Sequence, residues 1–260
     1  MKYLLHLSYK GTAYRGWQRQ LDAVSVQQTI EDLIMRVVKE KMFIVGCGRT
    51  DAGVHATNYV AHMEVTEELR TDFHFIINKL LPNDIVIHSV EAVDDHVQAQ
   101  FHVQHRRYDY YLHTHSQPLL NSMSTLVDDV DYDIATMKSA IAMLVGVHDF
   151  RYFCKQADKH ESTICDLLQA QLYVADGRYQ VRLTANRFLR SMVRLIVGNL
   201  FLVGSGHLSI ADWYAAIECQ QPFSDFNIAR PEGLQLSGLQ YPKRGYMNEN
   251  FLSLRGIADS

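Results

Sequence analysis

Polar and apolar residues alternate from the start of the chain, with Tyr3, Leu5, Leu7 and Tyr9 on one face of a strand that ends at Gly11. The period then changes. Ser25 and Gln28 are spaced as a capping box, and Val26, Ile30, Leu33, Ile34, Val37 and Val38 recur at helical intervals to about Lys41. Two apolar runs, residues 42–45 and 59–65, read as strands on either side of a polar loop. Asp72 is placed to cap a helix that Pro82 stops, and residues 85–93 read as a further strand. The second half repeats the theme. Residues 107–114 alternate with Tyr108, Tyr110 and Leu112 on one face, and Asp133 opens a helix through Met137, Ile141 and Leu144 that Gly146 is placed to end. Residues 167–185 form a hairpin around Asp176-Gly177, the chemistry of a type I′ turn. An amphipathic helix is predicted over residues 186–203, a helix capped by Ser209 runs through Trp213 and Ile217, and residues 234–241 close the chain as a strand. No low-complexity linker divides this order. It predicts an α+β protein made of two similar α/β halves, residues 1–104 and 105–260, whose mainly antiparallel sheets join into one extended sheet with helices packed on it and a central cleft.

The polar loop, GRTDAGVHA at residues 48–56, is where reactive chemistry concentrates. Asp51 sits among Gly48, Ala52 and Gly53, small residues that let a backbone approach a ligand, with Arg49 and His55 near enough to influence its charge. On composition alone, Thr-Asp-Ala-Gly is equally a surface turn with an Asx-type hydrogen bond. The chain has 260 residues, 47% hydrophobic and 21% charged, the make-up of a soluble globular protein rather than a disordered one. Its longest apolar run, near residues 195–203, is about half a membrane span and is broken by Gly198 and Asn199, so neither secretion nor membrane insertion is expected and a cytoplasmic location is. Cys47, Cys154, Cys165 and Cys219 contain no CxxC pair, which fits reduced thiols. The net charge of −4 excludes a generally basic surface, so any nucleic-acid contact must come from local clusters of Lys and Arg.

GRTDAGVHA resembles the signature of the tRNA pseudouridine synthase A family, and five further segments follow in that family's order. YKGTAYRGWQRQ (residues 9–20) is similar to its YDGTxFxGWQxQ opening, NKLLPNDI (78–85) to its NxxLPxDI, RRYDYYL (106–112) to its RxYxY, and GVHDF (146–150) to its GxHDF. NRFLRSMVRLIVGNLFLVGSG (186–206) is the longest match. The resemblance implies an isomerase that converts uridines 38–40 of the tRNA anticodon stem-loop to pseudouridine without a cofactor, working as a homodimer whose subunits share one tRNA.

Such a reaction breaks the N1–C1′ bond of uridine, turns the freed uracil, and rejoins it through C5. A carboxylate close to C1′ can attack the sugar or take a proton from it, and both roles need it ionised. The resemblance implies Asp51 as that carboxylate and Arg194 as the guanidinium that orients it and holds its charge. It also implies Tyr108 as the ring that stacks on the flipped base, with Leu234 pressing on the other face. Tyr110 and Tyr111 read instead as sheet packing. Arg187, Arg190 and Arg194 are spaced to share one helical face, either plain solvated surface or a stripe that meets phosphate. Arg15 and Arg19 near the front, Arg49 in the loop, and Arg106 and Arg107 beside Tyr108 are the remaining candidates for local grip on RNA, together with Lys10. Trp17 either anchors its loop by packing or touches RNA, while Gln18 and Gln20 are candidates to hydrogen-bond the Asp51 loop.

Three positions depart from the pattern: Gln100 and Ser162 stand where arginines are common, and Lys10 replaces a usual Asp. Each lost cation removes about one phosphate contact, which points to altered or weaker tRNA contact. His96, His102, His105, His113 and His115 crowd one region, but no Cys or carboxylate joins them at ligand spacing, so no metal is expected. No phosphate-binding glycine loop is present, and Gly204-Ser205-Gly206 reads as a helix stop. Two other functions remain compatible with the sequence. One is a non-catalytic protein that binds tRNA and aids its folding; the other is a nucleoside or glycoside hydrolase, which needs a second carboxylate that the Asp51 loop lacks.

Overall fold

The opening alternation forms β1, Lys2–Tyr9, with Tyr3, Leu5, Leu7 and Tyr9 buried. The computed structural model describes residues 1–128, 130–219, 221–223, 227–242 and 244–247. Three strands follow in the first part of the chain: β2 (Ile44–Gly46), β3 (His55–Glu64) and β4 (Ile85–Val93). β1 lies between β3 and β4, antiparallel to both, and β2 pairs antiparallel with β3.

Helix α1, Val26–Val38, starts where the capping box places it, with Ser25 Oγ accepting the Gln28 N–H at 3.2 Å. It stops earlier than about Lys41, because Lys39 turns left-handed (φ 58°) and donates its N–H to Met35 O. The second helix, α2 (Phe73–Leu80), forms without the expected cap. The Asp72 carboxylate is taken by Arg70 through two hydrogen bonds of 2.9 Å and makes no capping bond. What holds α2 is Asn78, whose side chain donates to Ile87 O at 2.8 Å and accepts the Ile87 N–H at 2.9 Å on β4. The core of this part includes Leu5, Leu7, Ile30, Ile34, Tyr59 and Ile77, all fully buried.

The second part carries β5 (His105–His113), β6 (Thr125–Leu126), β7 (Gly146–Asp149), β8 (Ile164–Ala175) and β9 (Arg178–Ala185). β5 pairs with β9, β9 with β8 and β8 with β7, all antiparallel, while the short β6 runs parallel to β5. The β8–β9 hairpin turns at Asp176 and Gly177, whose positive φ of 49° and 67° are those of a type I′ turn. Tyr110, Tyr111 and Leu112 are buried, as expected of sheet packing. Helices α3 (Ile134–Ala142), α4 (Met192–Gly204) and α5 (Ile210–Ile217) complete this part. Asp133 and Ser209 cap α3 and α5 through the N–H groups of Thr136 and Asp212. Trp213 on α5 is fully buried and donates Nε1–H to Ala140 O at 2.9 Å. α4 ends at Gly204, with Gly206 left-handed beyond it.

Two expectations change here. Residues 186–191 are not helical, so α4 is shorter at its start than the apolar pattern predicts. Tertiary bonds take the backbone and side-chain groups a helix would use. Asn186 Oδ1 accepts the Asp166 N–H, Arg190 O accepts the Lys155 N–H, and Ser191 is left-handed (φ 59°). Arg187 and Arg190 therefore precede the helix, and the arginine stripe does not exist as one helical face. The closing strand β10 (Leu234–Tyr241) also leaves the second part: from Gln235 onward it belongs with residues 1–104, running parallel to β3 with Gln235 opposite His55 and Leu236 opposite Ala56. A last strand, β11 (Arg244–Met247), pairs antiparallel with β10. The described residues thus form two compact units, 1–104 with the segment from Gln235, and His105–Leu234, each an α+β arrangement of mainly antiparallel strands with helices. No helix among the described residues is long and apolar enough to cross a membrane.

Candidate active site

In the first unit the GRTDAGVHA loop joins β2 to β3, and its position is set by the chain from Tyr9 to Trp17. Trp17 N–H donates to Thr50 O and Gly53 N–H to Tyr14 O, both at 3.2 Å. Tyr9 and Thr50 share a hydroxyl hydrogen bond of 2.9 Å, and Gly11 N–H donates to His55 Nδ1 at 2.9 Å. These contacts need closeness that a side chain would prevent. A Cβ at Gly11 would stand 1.9 Å from Val54 O, and one at Gly16, where φ is +87°, would stand 2.3 Å from Thr50 O. Behind the loop, Trp17 stacks on Tyr59 with centroids 4.1 Å apart, Tyr9 meets Tyr59 edge-on at 5.5 Å, and the Tyr59 hydroxyl donates to Gly48 O. Trp17, 3% exposed, is an anchor of this loop. Asp51 is half-buried at the apex, between fastened residues, and Val54 N–H closes the turn onto Asp51 O at 3.2 Å.

The cations of this unit differ in their commitments. Arg15 and Arg49 are exposed. Arg19 is held by two carboxylates, Glu31 at 2.9 Å and Asp32 at 2.5 Å, and Glu31 is fully buried, where it also accepts from Gln27 Nε2 and the Ile44 N–H. Those bonds raise the Arg19 pKa, the Asp32 hydrogen bond contributing most. Gln20 donates to Arg15 O at 2.9 Å, staying within its own turn. Tyr14 donates to Asp84 Oδ1 at 2.7 Å, and burial followed by that carboxylate pushes its hydroxyl pKa well up.

In the second unit Tyr108 lies on β5, half-buried, with Phe188 set edge-on to it at 5.0 Å. Arg106 donates to Asn186 O at 3.2 Å, so the start of β5 and residues 186–188 are held together. Arg187 is half-buried near Cys154 and Cys165, and its charge opposes the burial that raises both thiols, Cys165 to about 11. Arg190 donates to Gln156 Oε1. Arg194 stands in the first turn of α4, half-buried, and its Nε donates to Ala229 O at 2.7 Å while Ala229 N–H returns to Arg194 O. A cation there opposes the helix dipole, a placement that helix stability alone does not favour. Leu234, at 6% exposure, opens β10.

Arg107 departs furthest from a phosphate-gripping role. It is 6% exposed and approaches Asp109 Oδ2 at 3.9 Å, beside a cluster the sequence reading missed. Asp109, fully buried, accepts from Arg182 Nε at 2.7 Å, Arg182 Nη2 at 3.3 Å and Gln180 Nε2 at 2.9 Å. The signal was the alternation of Arg107 with Asp109 and of Gln180 with Arg182, two polar stripes on strands whose pairing places Asp109 opposite Arg182. Phe188 was likewise unremarked within NRFLR.

His113 spends both ring nitrogens, on Ser124 Oγ at 2.8 Å and Asn121 Oδ1 at 3.2 Å, and His115 Nδ1 lies 3.0 Å from Thr114 Oγ1. Among the described residues no three His, Cys, Asp or Glu side chains are grouped as a metal site. Gln100 is exposed, and Ser162 Oγ accepts the Ile164 N–H.

A family model described as tRNA pseudouridine synthase matches residues 140–242. Curated relatives match over almost their whole length. A tRNA pseudouridine synthase A of Porphyromonas gingivalis is 37% identical over 246 residues, 93% of this chain and 97% of its own. A tRNA pseudouridine synthase A 2 of Bacillus anthracis is 34% identical, covering 92% and 99%, and a tRNA pseudouridine synthase A of Azobacteroides pseudotrichonymphae is 32% identical, covering 95% and 99%. With identity of this level spanning both units, from the fastened Asp51 loop to α4, the chain belongs to the tRNA pseudouridine synthase A family of isomerases.

Proposed function

We propose that this enzyme isomerises uridines in the anticodon stem-loop of tRNA, at positions 38–40, with Asp51 as its catalytic carboxylate. The observation that carries the proposal is the Asp51 loop: backbone and hydroxyl bonds from residues 9–17 fix Thr50, Gly53 and His55, and leave Asp51 half-buried at the apex. A preorganised carboxylate of this kind suits a step at a sugar carbon, either attack on C1′ or removal of a sugar proton. Tyr108, braced edge-on by Phe188, is proposed to stack on the flipped uracil, with Leu234 on the other face. Arg194 is proposed as the cation that keeps the carboxylate charged. Arg15, Arg49, Arg106, Arg187 and Arg190 are proposed to grip the RNA backbone; Arg19 and Arg107 have smaller shares, being already committed to carboxylates. Two copies of the chain sharing one tRNA would bring more of these cations to bear than a net charge of −4 suggests.

Forming the C5–C1′ bond expels the hydrogen on C5, so the test is tritium release from 5-tritiated uridine in bulk tRNA, wild type beside Asp51→Asn. The expected outcome is release by the wild type and at least a thousandfold less by the mutant, about 4 kcal/mol of lost transition-state stabilisation. Equal release from both would reject Asp51. Binding of tRNA without release by either would favour a non-catalytic tRNA-binding protein.

A further inference from the structure

Four fastenings around Asp51 tie its loop to residues 9–17: two backbone bonds, the Tyr9–Thr50 hydroxyl pair, and one that runs through an imidazole. Trp17 N–H to Thr50 O and Gly53 N–H to Tyr14 O are backbone to backbone. The Gly11 N–H to His55 Nδ1 bond, at 2.9 Å, is buried and joins a backbone donor to a side-chain acceptor. A backbone N–H can only donate, so Nδ1 carries a lone pair and a neutral ring holds its proton on Nε2. His55 is 2% exposed and is the first residue of β3, which leads directly out of the loop. The seat is tight, since a Cβ on Gly11 would come within 1.9 Å of Val54 O. The turn at Gly11–Ala13 and the exit of the Asp51 loop therefore rest on each other, and His55 supplies the acceptor that keeps them there.

We propose that His55 is a positioning residue for Asp51: by accepting the Gly11 N–H on a neutral ring, it holds the exit of the loop where the Asp51 carboxylate meets the sugar. This rests on the reading of Asp51 as the catalytic group. Removing the acceptor strands a buried N–H, and the turn recovers its hydrogen bond only by drawing away from the loop. A shift of about 1 Å is enough to lower turnover on the order of a hundredfold. Arg15 and Arg49, exposed cations of this unit, keep their places, so tRNA affinity stays.

The test compares His55→Leu, His55→Asn and Asp51→Asn with the wild type, by steady-state tritium release from tRNA and by 15N spectra of the histidine ring and the Gly11 amide. Asparagine puts an amide oxygen where Nδ1 stands and accepts the Gly11 N–H; leucine of similar bulk cannot. The expected result for His55→Leu is a kcat lower by on the order of a hundredfold, with KM within about threefold, and a displaced Gly11 amide resonance. His55→Asn is expected to restore kcat to within about threefold of the wild type and to return the Gly11 resonance. The wild-type ring is expected to show a proton on Nε2 and none on Nδ1. Equal losses in the two variants, a loss confined to KM, or a proton on Nδ1 overturns the proposal. Should His55→Leu fail to fold, the Asn variant and the ring spectra still decide it. Undiminished release by Asp51→Asn would instead overturn the reading of Asp51, while the spectra continue to report on the His55–Gly11 bond.

Discussion

Two aspartates, one in each unit, are held in place in different ways. Asp109 on β5 is fully buried, and both its oxygens are used by the Arg182 guanidinium, with Gln180 and Arg107 alongside. Asp51 is half-buried, and its place is set through the backbone and side chains of its neighbours Thr50, Gly53 and His55. One site is a charged knot whose members satisfy each other; the other is a loop held by mostly neutral bonds. A buried ion cluster gains specificity of register and geometry more than net stability, whereas a loop pinned at its flanks fixes where its carboxylate stands.

The comparison breaks most sharply at Asp51 itself. Asp51→Asn is expected to remove tritium release while changing the free energy of unfolding by no more than about 0.5 kcal/mol, read by urea denaturation. In the charged knot the effects invert. Arg182→Met leaves Asp109 buried without its bidentate partner and is expected to cost about 3–5 kcal/mol of stability, with turnover per folded molecule little changed. The double substitution Asp109→Leu with Arg182→Met should recover part of that loss; a double mutant as unstable as the sum of the singles would count against mutual satisfaction as the reason for the cluster.

Gly16→Ala sits between these extremes. Its φ of +87° and a Cβ that would lie 2.3 Å from Thr50 O predict a loss of about 2 kcal/mol together with a fall in turnover on the order of tenfold, because Thr50 must move. A variant of full stability and full activity would show that the loop tolerates displacement. The smallest effect concerns pH. His62 on β3 accepts the Ala99 N–H on Nδ1 at 3.1 Å, and burial, then the nearby Lys2 charge, lowers its pKa below the ordinary value of about 6.5, with Glu64 partly opposing. A lowered folded-state pKa means the unfolded chain takes up the proton first on acidification. The stability from neutral His62 is present above about pH 6.5 and is lost as pH falls toward the folded-state value. His62→Asn, which keeps an acceptor for Ala99, is expected to flatten part of the decline in melting temperature below pH 6.5.

Where local chemistry decides, the sequence was legible. The strand β1 follows from alternation, β4 and β10 lie where the sequence reads as strand, α1, α3 and α5 start at their Ser or Asp caps, and the Asp176-Gly177 turn has the two positive φ angles its residues invite. The reading failed where another partner outbid the expected one. Asp72 is shaped to cap a helix, yet Arg70 takes it. Residues 186–191 carry helical periodicity, yet bonds to Asp166 and Lys155 unwind them, and Arg187 and Arg190 lose the face they were expected to share with Arg194. Charged residues in strands read naturally as surface, and Arg107, Arg182 and Asp109 are buried because β5 and β9 pair in one particular register.

By itself the sequence determined the α+β class, most of the elements, the family, and the loop in which to look for the reactive carboxylate, because these depend on short-range periodicity, capping and motif spacing. Tertiary structure alone decided which charges are spent. That Arg19 belongs to Glu31, Arg182 to Asp109, and the Gly11 N–H to His55 follows from contacts between residues many positions apart. Desolvation makes such partners nearly obligatory once buried, and burial is a property of the folded chain that no local pattern carries.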